Sequence, residues 1–306
     1  MRDLRAFRRT VDRYSERTAL VTAHGAETTY GELGRRTDAL ANALDTRVGD
    51  ARTASLLRNS PAAIEMMVAA QKRGRANAQL SFRGAAGELR RMVETAERTG
   101  QTLAVDYNYR HMPSFATLKR RLDSGDLGDL HLASADAHAY GWHHTLDLLT
   151  FLFGEPRRVR AALDHDPAAV AEQFRLDDVL YVPSHAVSAT IEFESGTLAS
   201  VASSIHTDLD DHLIDLAVYG DAGRVRLTGM TPDDSTGTVA PGPLAAALRD
   251  TESITLDESF TRSIVAFVEA MAAGEEPPTT GEDGLRLLTL ERAMLEAAAT
   301  DGWVDL

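Results

Sequence analysis

The sequence predicts an α+β protein whose C-terminal part is an open, mostly antiparallel sheet with helices on one face. The first observation is a run of alternating strands over residues 185–228, joined by turns at Glu194-Ser195-Gly196 and Gly220-Asp221-Ala222-Gly223. The second is helical periodicity on both sides of this run, over residues 88–124 and 259–299. The third is the apolar segment 142–153, which Gly154 ends at a C-cap position, as is typical of a buried helix.

Charge divides the chain into two segments of different character. Residues 1–83 hold 15 Lys or Arg and 9 Asp or Glu, a net charge of +6. Because the whole chain has a net charge of −14, residues 84–306 have a net charge of −20. We therefore predict a domain boundary between residues 83 and 84. The acidic main segment would repel phosphate backbones, and the N-terminal arginines have no aromatic residues among them, so nucleic-acid binding is not expected.

Composition narrows the possible chemistry further. The sequence contains no cysteine, which excludes disulfides, thiolate metal sites and a cysteine nucleophile, and a cytoplasmic protein is expected. No apolar run approaches the ~18 residues of a membrane span, so no membrane association is expected. The basic N-terminus lacks the apolar core of a secretory signal.

Residues 1–83 read as an α/β segment in which the capping box Thr29-Tyr30-Gly31-Glu32 and Ser60-Pro61 each open a helix. Its motifs are Thr29-Tyr30-Gly31-Glu32-Leu33, Val48-Gly49-Asp50, Leu57-Arg58-Asn59-Ser60-Pro61, Lys72-Arg73-Gly74 and Leu80-Ser81-Phe82-Arg83. In these motifs, residues 14–83 resemble the opening of the acyl-CoA synthetase superfamily of adenylate-forming (AMP-binding) enzymes. That superfamily's Ser/Thr/Gly-rich phosphate loop and its later adenylate-binding motifs are absent, so adenylation is not expected.

Residues 86–306 carry a second ordered set of motifs. The set is Ala96-Glu97-Arg98-Thr99-Gly100, Tyr107-Asn108-Tyr109-Arg110, Ser124-Gly125-Asp126-Leu127-Gly128, His144-Thr145-Leu146-Asp147-Leu148-Leu149, Gly154-Glu155-Pro156, Tyr219-Gly220-Asp221-Ala222-Gly223, Phe267-Val268-Glu269-Ala270 and Thr280-Gly281-Glu282-Asp283-Gly284. It resembles the C-terminal substrate domain of the Gfo/Idh/MocA oxidoreductases. The resemblance implies NAD or NADP as cofactor and a hydroxylated, polyol- or sugar-like substrate. It also makes the helix 88–99 and a strand 102–107 the remnant of a Rossmann domain, so the N-terminal α/β segment is truncated and lacks a complete Rossmann fold.

The apolar helix begins with two histidines, His143 and His144, and Asp147 follows His144 by one helical turn. Spacing alone leaves two interpretations of His144 and Asp147, a polar pair facing a cleft or a hydrogen-bonded pair that caps a core helix. By the family resemblance, His144 matches the general acid/base and Asp147 the aspartate one turn on, so both are predicted to be catalytic. The substrate-binding residues that the resemblance implies are Tyr109, Arg110, Tyr140 and His143. For Arg110 the alternative is a structural ion pair.

Metal binding is not expected. The candidate ligands are His138, His143, His144, His206 and His212. Their spacing contains no pattern that would bring three ligands to one place.

The groups that anchor and serve the cofactor in that family have no match here. No G-x-G-x-x-G follows a strand, and Gly25, Gly31 and Gly34 lie around the capping box. The family's proton-transfer lysine also has no counterpart, because Lys72 and Lys119 stand in unrelated contexts. Two functions remain: an NAD(P)-dependent oxidoreductase homologue with impaired cofactor binding, or a non-catalytic fusion protein that serves as a dimerising or small-ligand-binding module.

The sheet predicts the oligomeric state. In the strand 197–204, Leu198, Ser200 and Ala202 share one face, while Ala199 and Val201 share the other. Small residues dominate both faces, so the face without helices is flat and suits an isologous contact. We expect a homodimer or homotetramer formed through this sheet, with Val201 on the exposed face.

Overall fold

The computed structural model describes most of the chain. The described residues are 2–21, 27–48, 53–56, 61–73, 77–80, 86–100, 102–164, 186–204, 214–228 and 242–306. They form two compact units, each assembled from separate stretches of sequence. The first unit contains Met1–Phe82, Arg90–Asp106 and Phe260–Glu282, and the second contains Arg83–Leu89, Tyr107–Ser259 and Asp283–Leu306. The boundary expected at residues 83 and 84 stays a prediction.

Helices and short strands alternate through the first 100 residues, and a larger sheet follows. The helices are α1 (Arg2–Arg13), α2 (Tyr30–Val48), α3 (Pro61–Lys72), α4 (Ala86–Thr99), α5 (Pro113–Asp123), α6 (Trp142–Phe153), α7 (Gly242–Arg249), α8 (Leu256–Ala273) and α9 (Gly281–Thr300). The strands are β1 (Thr18–Val21), β2 (Glu27–Thr29), β3 (Thr53–Leu56), β4 (Asn77–Leu80), β5 (Leu130–His138), β6 (Pro156–Leu163), β7 (Val187–Phe193), β8 (Leu198–Ser204), β9 (Ile214–Gly220), β10 (Gly223–Thr228) and β11 (Val304–Asp305). No described helix is long and apolar enough to cross a membrane.

The first unit contains two small sheets, an antiparallel pair β1–β2 and a parallel pair β3–β4. Helix α2 begins as the capping box predicts, because the backbone N–H of Glu32 donates to Thr29 Oγ1 at 3.2 Å. The helices approach one another closely, so a Cβ on Gly34 would lie 2.9 Å from Val11 Cγ1. A larger residue at position 34 would force the Val11 side chain to move.

The second unit is built on a seven-stranded sheet in the order β10-β9-β5-β8-β7-β6-β11. Neighbouring strands are antiparallel except for the parallel pair β5–β8. The turns expected after residues 193 and 220 join β7 to β8 and β9 to β10. The α+β class and the mostly antiparallel sheet are thus confirmed, whereas the truncated Rossmann fold stays a prediction.

Helix α6 covers the buried face of this sheet. Phe153 of α6 packs against Phe193 of β7 with ring centroids 5.5 Å apart. The buried face of the central strands carries small side chains, which leave room for the leucine and phenylalanine side chains of α6. Gly154 ends the helix with φ of 90°, a conformation that favours glycine, as the sequence predicts.

The face assigned to Val201 from sequence is wrong. Val201 is fully buried, as are Ala199 and Ser203, whereas Leu198 and Ser200 are exposed. Alternation separates the two faces of β8 correctly, but both carry small residues, so composition did not show which one the helices cover.

The strand expected over residues 102–107 does not form. Ala104 makes an isolated antiparallel bridge to Thr280, and the hydroxyl of Thr279 donates to the backbone carbonyl of Val105. A side-chain donor thus occupies a carbonyl that a strand neighbour would otherwise use. The first residues of two other expected strands, His185 and His212, lie outside the described residues.

Candidate functional site

The site is organised by a short 3-10 turn, Asn108–His111, in the second unit. Its Tyr109 is fully buried and stacks on Phe115 of α5, with ring centroids 6.1 Å apart. Pro113 begins α5 immediately after the turn and fixes the direction in which the chain leaves it. The stacking of Tyr109 on Phe115 therefore anchors the 3-10 turn to α5.

His144 lies in the first turn of α6 and is buried between two tyrosines. The Tyr109 ring stacks on its imidazole, with centroids 4.8 Å apart and an interplanar angle of 26°. Tyr107 approaches edge-on, with centroids 6.2 Å apart and an angle of 88°. Two aromatic contacts of this kind restrict the rotation of the imidazole.

Arg110 and Asp147 form a bidentate ion pair that fastens the 3-10 turn to α6. The Arg110 Nη2 group donates to Asp147 Oδ1 at 2.6 Å, and its Nε group donates to Oδ2 at 2.9 Å. The two side chains are 11% and 2% exposed. The guanidinium also lies 5.3 Å from the ring centroid of Phe151, one turn beyond Asp147. Asp147 therefore pairs with Arg110, which is the structural alternative that the sequence left open for this arginine.

Charged side chains of α9 extend the ion pair into a network. Arg110 Nη2 lies 3.2 Å from Asp283 Oδ1, and Arg286 Nη1 lies 2.8 Å from the same oxygen. Arg286 also reaches Glu155, just after the end of α6, at 2.8 Å. The guanidinium groups of Arg110 and Arg286 thus form ion pairs with three carboxylates. One of these carboxylates, Asp147, is almost completely buried.

Burial and charge shift the pKa values of the groups in this network. Burial raises the pKa of Asp147 to about 7, although the Arg110 guanidinium acts in the opposite direction. Burial, followed by the charges of Asp147 and Glu291, raises the pKa of Tyr107 well above its usual value, so the phenol stays neutral. Burial and the nearby Arg110 lower the pKa of His111 to about 4.

His143, adjacent to His144, contacts a different element. Its Nδ1 lies 2.7 Å from Oε1 of Glu291 on α9, and the two side chains are 13% and 0% exposed. Of the six site residues predicted from sequence, the structure brings Tyr109, Arg110, His144 and Asp147 together. Tyr140 lies in a 3-10 turn, Ala139–Gly141, and its side chain lies outside the described part of the structure.

Sequence reasoning missed four residues of this site, Tyr107, Asp283, Arg286 and Glu291. A signal for Glu291 was present, because it falls on the apolar stripe of α9 formed by Leu287, Leu290 and Met294. Asp283 and Arg286 lie at the start of α9, in or next to the motif Thr280-Gly281-Glu282-Asp283-Gly284. That motif supports the family resemblance but does not indicate which residues Asp283 and Arg286 contact.

Both lysines of the chain are engaged in other contacts. Lys72 is buried in the first unit, where its Nζ donates to Thr37 Oγ1 at 2.8 Å and to Asp38 Oδ1 at 2.7 Å. Lys119 pairs with Asp123 on the surface of α5 at 2.5 Å. The absence of a counterpart to the family's proton-transfer lysine stays a prediction.

Gly31 and Gly34 of the first unit do not form a phosphate cradle. A Cβ on Gly31 would lie 3.1 Å from the carbonyl oxygen of Ser15, and the space beside Gly34 is filled by Val11. A dinucleotide pyrophosphate needs this kind of open approach to backbone N–H groups. The backbone beside Gly31 and Gly34 therefore offers no such approach, and Gly25 lies outside the described residues.

No group of three or more metal-ligating side chains occurs within the described ranges. His138, His143 and His144 lie in those ranges, whereas His206 and His212 lie outside them.

Comparison with known proteins identifies the family. A model of the C-terminal alpha/beta domain of an oxidoreductase family, GFO_IDH_MocA_C, matches residues 120–306. The chain belongs to the Gfo/Idh/MocA oxidoreductase family. A model of AMP-binding enzymes matches residues 7–179 more weakly, so both resemblances expected from sequence are confirmed.

Named relatives of this Gfo/Idh/MocA protein include two dehydrogenases. The D-apiose dehydrogenase of Paraburkholderia graminis is 27% identical over 78% of this chain and 68% of its own length. The inositol 2-dehydrogenase of Rhizobium meliloti is 25% identical over 70% of this chain and 68% of its own length.

Solved structures share the fold at lower identity. Levoglucosan dehydrogenase, in complex with NADH and levoglucosan, matches with a TM-score of 0.59 and 19% identity over 84% of this chain and 80% of its own. An oxidoreductase from Agrobacterium radiobacter, in complex with NAD+, L-tartaric acid and magnesium, matches with a TM-score of 0.58 and 17% identity over 89% and 95%.

The stability of the protein should depend on pH through Asp147. Its pKa is near 3.8 when unfolded and about 7 when folded, so between pH 4 and 7 the folded state retains a proton that the unfolded state has lost. Raising the pH through this range should lower the free energy of unfolding by on the order of a few kcal/mol relative to Asp147→Asn. Urea denaturation at a series of pH values measures this difference.

The comparison with Asp147→Asn is needed because His111 acts in the opposite direction. Its folded pKa, about 4, lies below its usual value of 6.5, so the stability associated with its neutral form is lost as pH falls from 6.5 towards 4. This contribution is present in both proteins and cancels in the difference. If the free energy of unfolding of the wild-type protein, relative to Asp147→Asn, instead rises with pH, the charge of Arg110 has a larger effect on the pKa of Asp147 than burial has.

Proposed function

We propose that this protein binds a hydroxylated, polyol- or sugar-like small molecule, with His144 as the acid/base residue that contacts the substrate hydroxyl. The observation that carries the proposal is the buried imidazole of His144, held between Tyr107 and Tyr109 in a chain of an oxidoreductase family. The names of two relatives, D-apiose dehydrogenase and inositol 2-dehydrogenase, support this class of substrate.

The remaining site residues take supporting roles in this proposal. Asp147 acts as a positioning residue, since its carboxylate is occupied by Arg110 and is shielded from solvent. Tyr107 remains neutral and can donate a hydrogen bond from its phenol. Tyr109, Arg110, Tyr140 and His143 are proposed to border the substrate, as the family resemblance implies.

The observations on cofactor binding point in two directions. Levoglucosan dehydrogenase and the Agrobacterium radiobacter oxidoreductase, which share the fold, were solved in complex with NADH and NAD+, and this supports NAD or NADP as the cofactor. The space beside Gly31 and Gly34 is filled by the chain itself, however, and both lysines are engaged. We infer that dinucleotide affinity is low and that dehydrogenase turnover is impaired.

The same observations favour a second candidate function, a non-catalytic protein that keeps the substrate domain as a ligand-binding or dimerising module. Adenylation is not proposed, because the sequence lacks the phosphate loop of AMP-binding enzymes. Ligand binding and cofactor binding must therefore be measured separately.

Isothermal titration separates the two candidates. D-apiose, myo-inositol and levoglucosan are titrated first, followed by NAD+ and NADP+. At least one of the polyols should bind, and His144→Gln should weaken that binding roughly tenfold, the effect of losing about one hydrogen bond. His131→Gln, an exposed histidine on the sheet, is the matched control and should leave binding unchanged.

Each result has a defined meaning. Micromolar affinity for either dinucleotide would contradict the proposed impairment. Absence of binding by all three polyols would contradict the proposed substrate class and favour the purely dimerising module.

We also propose a homodimer, or a homotetramer built from dimers, through the open face of the sheet. Leu132 of β5, which is 42% exposed, lies in register with Leu198 of β8, which is 38% exposed, and with Tyr219 of β9. Three large side chains across adjacent strands form an apolar row on a face without a covering helix, and such a row is costly to leave in water.

Light scattering at several concentrations tests the dimer. Leu198→Arg should shift the protein towards monomer, because each charge would be buried at an isologous contact. Val265→Arg replaces an exposed residue of similar size on α8 and should leave the mass unchanged. Val201→Arg should unfold the protein, since Val201 faces the core. A wild-type protein that is monomeric at tens of micromolar would contradict the proposal.

A further inference from the structure

Three exposed arginines near the start of the chain form a patch of unpaired positive charge in the first unit. Arg9 and Arg13 lie on α1, and Arg17 directly precedes β1. None of the three forms an ion pair with a carboxylate of the described residues. The exposed arginines of α2 and α3 differ, because Arg36 and Arg73 each pair with a carboxylate, at 2.8 and 3.0 Å. Arg9, Arg13 and Arg17, the arginine patch, therefore remain available to a ligand.

Tyr14 lies between two of these arginines and orders them. The guanidinium carbon of Arg13 is 5.3 Å from the centroid of the Tyr14 ring, and that of Arg17 is 4.8 Å from it. The ring attracts both guanidinium groups, so they lie close together on the surface. The expectation that no aromatic residue accompanies the N-terminal arginines is therefore wrong.

Backbone hydrogen bonds fix the chain on both sides of Tyr14. The N–H of Tyr14 donates to the carbonyl of Thr10 at 2.8 Å, and the N–H of Arg17 donates to the carbonyl of Tyr14 at 2.9 Å. The carbonyl of Arg17 in turn accepts from the N–H of Tyr30, at the start of α2, at 2.9 Å. The backbone of the patch is thus ordered before a ligand arrives, which lowers the entropic cost of binding.

The chemistry of the patch favours phosphate as the ligand group. A guanidinium directs its N–H groups along its own plane, so Arg13 and Arg17 can each donate two parallel hydrogen bonds to an oxyanion. A phosphate group offers three such oxygens and up to about two negative charges. A carboxylate offers two oxygens and a single charge. Two neighbouring guanidinium groups are therefore neutralised more completely by phosphate.

The charge of the rest of the chain limits the length of the ligand. Residues 84–306 have a net charge of −20, which repels an extended polyanion such as a nucleic acid. A short ligand that covers only the arginine patch avoids most of this repulsion, because salt screens charges beyond a Debye length of about 8 Å.

We propose that the arginine patch binds a small ligand with two or more linked phosphate groups. Arg13 and Arg17 hold one phosphate group between them, and Arg9, one helical turn before Arg13, supplies charge to the next phosphate group. This second binding site belongs to the first unit, whereas His144 belongs to the second. It is therefore independent of the polyol site.

Isothermal titration of the full-length protein with inorganic tripolyphosphate, at near-physiological salt, tests the proposal. We expect saturable binding that is tighter than the binding of citrate, whose negative charges are all on carboxylates. Absence of tripolyphosphate binding would overturn the proposal, and citrate binding of equal strength would overturn the choice of phosphate. A single-stranded thymidine oligonucleotide that binds more tightly than tripolyphosphate would overturn the small ligand and indicate a nucleic-acid surface instead.

Paired substitutions locate the site. Arg13→Gln combined with Arg17→Gln should weaken tripolyphosphate binding about tenfold or more, because it removes charge-assisted hydrogen bonds. Glutamine suits exposed positions, and circular dichroism checks that the fold is kept. Arg90→Gln combined with Arg98→Gln removes the same charge from exposed positions of α4 and should leave binding unchanged. An equal loss in this control would show that net charge alone attracts the ligand, and would overturn the site.

Lysine substitutions separate the geometry of the patch from its charge. Arg13→Lys combined with Arg17→Lys keeps both positive charges but removes the planar pairs of donors. We expect this protein to bind tripolyphosphate more weakly than the wild type and more tightly than the glutamine variant. Affinity equal to that of the wild type would overturn the bidentate contacts that the proposal assigns to Arg13 and Arg17.

Discussion

The arrangement of the site depends on the buried ion pair between Arg110 and Asp147, two residues 37 positions apart in the chain. Loss of one partner of such a pair leaves an uncompensated charge in the interior, at a cost of about 3–5 kcal/mol. Because the guanidinium engages both carboxylate oxygens, it fixes the orientation of the 3-10 turn as well as its distance from α6. Stacking of Tyr109 on His144 follows from that orientation.

The first turn of α6 sends its two histidines to different supports. His144 is held by the aromatic residues around the 3-10 turn, and His143 is held by Glu291 of α9. The same helix α9 contributes Asp283 and Arg286 to the network around Arg110. Helix α9 thus contacts the residues on both sides of the site, although it lies more than 100 residues away from α6 in the chain.

Local features of this structure could be predicted from sequence, whereas the long-range partners could not. The apolar helix, its glycine cap and the shared face of His144 and Asp147 depend on residues a few positions apart, and helical spacing determines them. Asp283 and Glu291 are more than 100 residues distant from α6, and no local pattern names their partners. The predicted face of Val201 is wrong because both faces of β8 carry small residues. Alternation shows which residues of β8 share a face, but it does not show which face is buried.

The claim that the Arg110–Asp147 pair orients His144 can be tested directly by proton NMR. The stacked Tyr109 ring shields the Hε1 proton of His144, so this signal should lie upfield of the other histidine signals in the wild-type protein. Arg110→Met, which keeps the length of the side chain but removes its charge, should abolish most of the upfield shift while the protein stays folded. Arg158→Met, on strand β6, is the control and should leave the signal in place. An unchanged His144 signal in folded Arg110→Met would show that the stacking does not depend on the ion pair and would contradict this account.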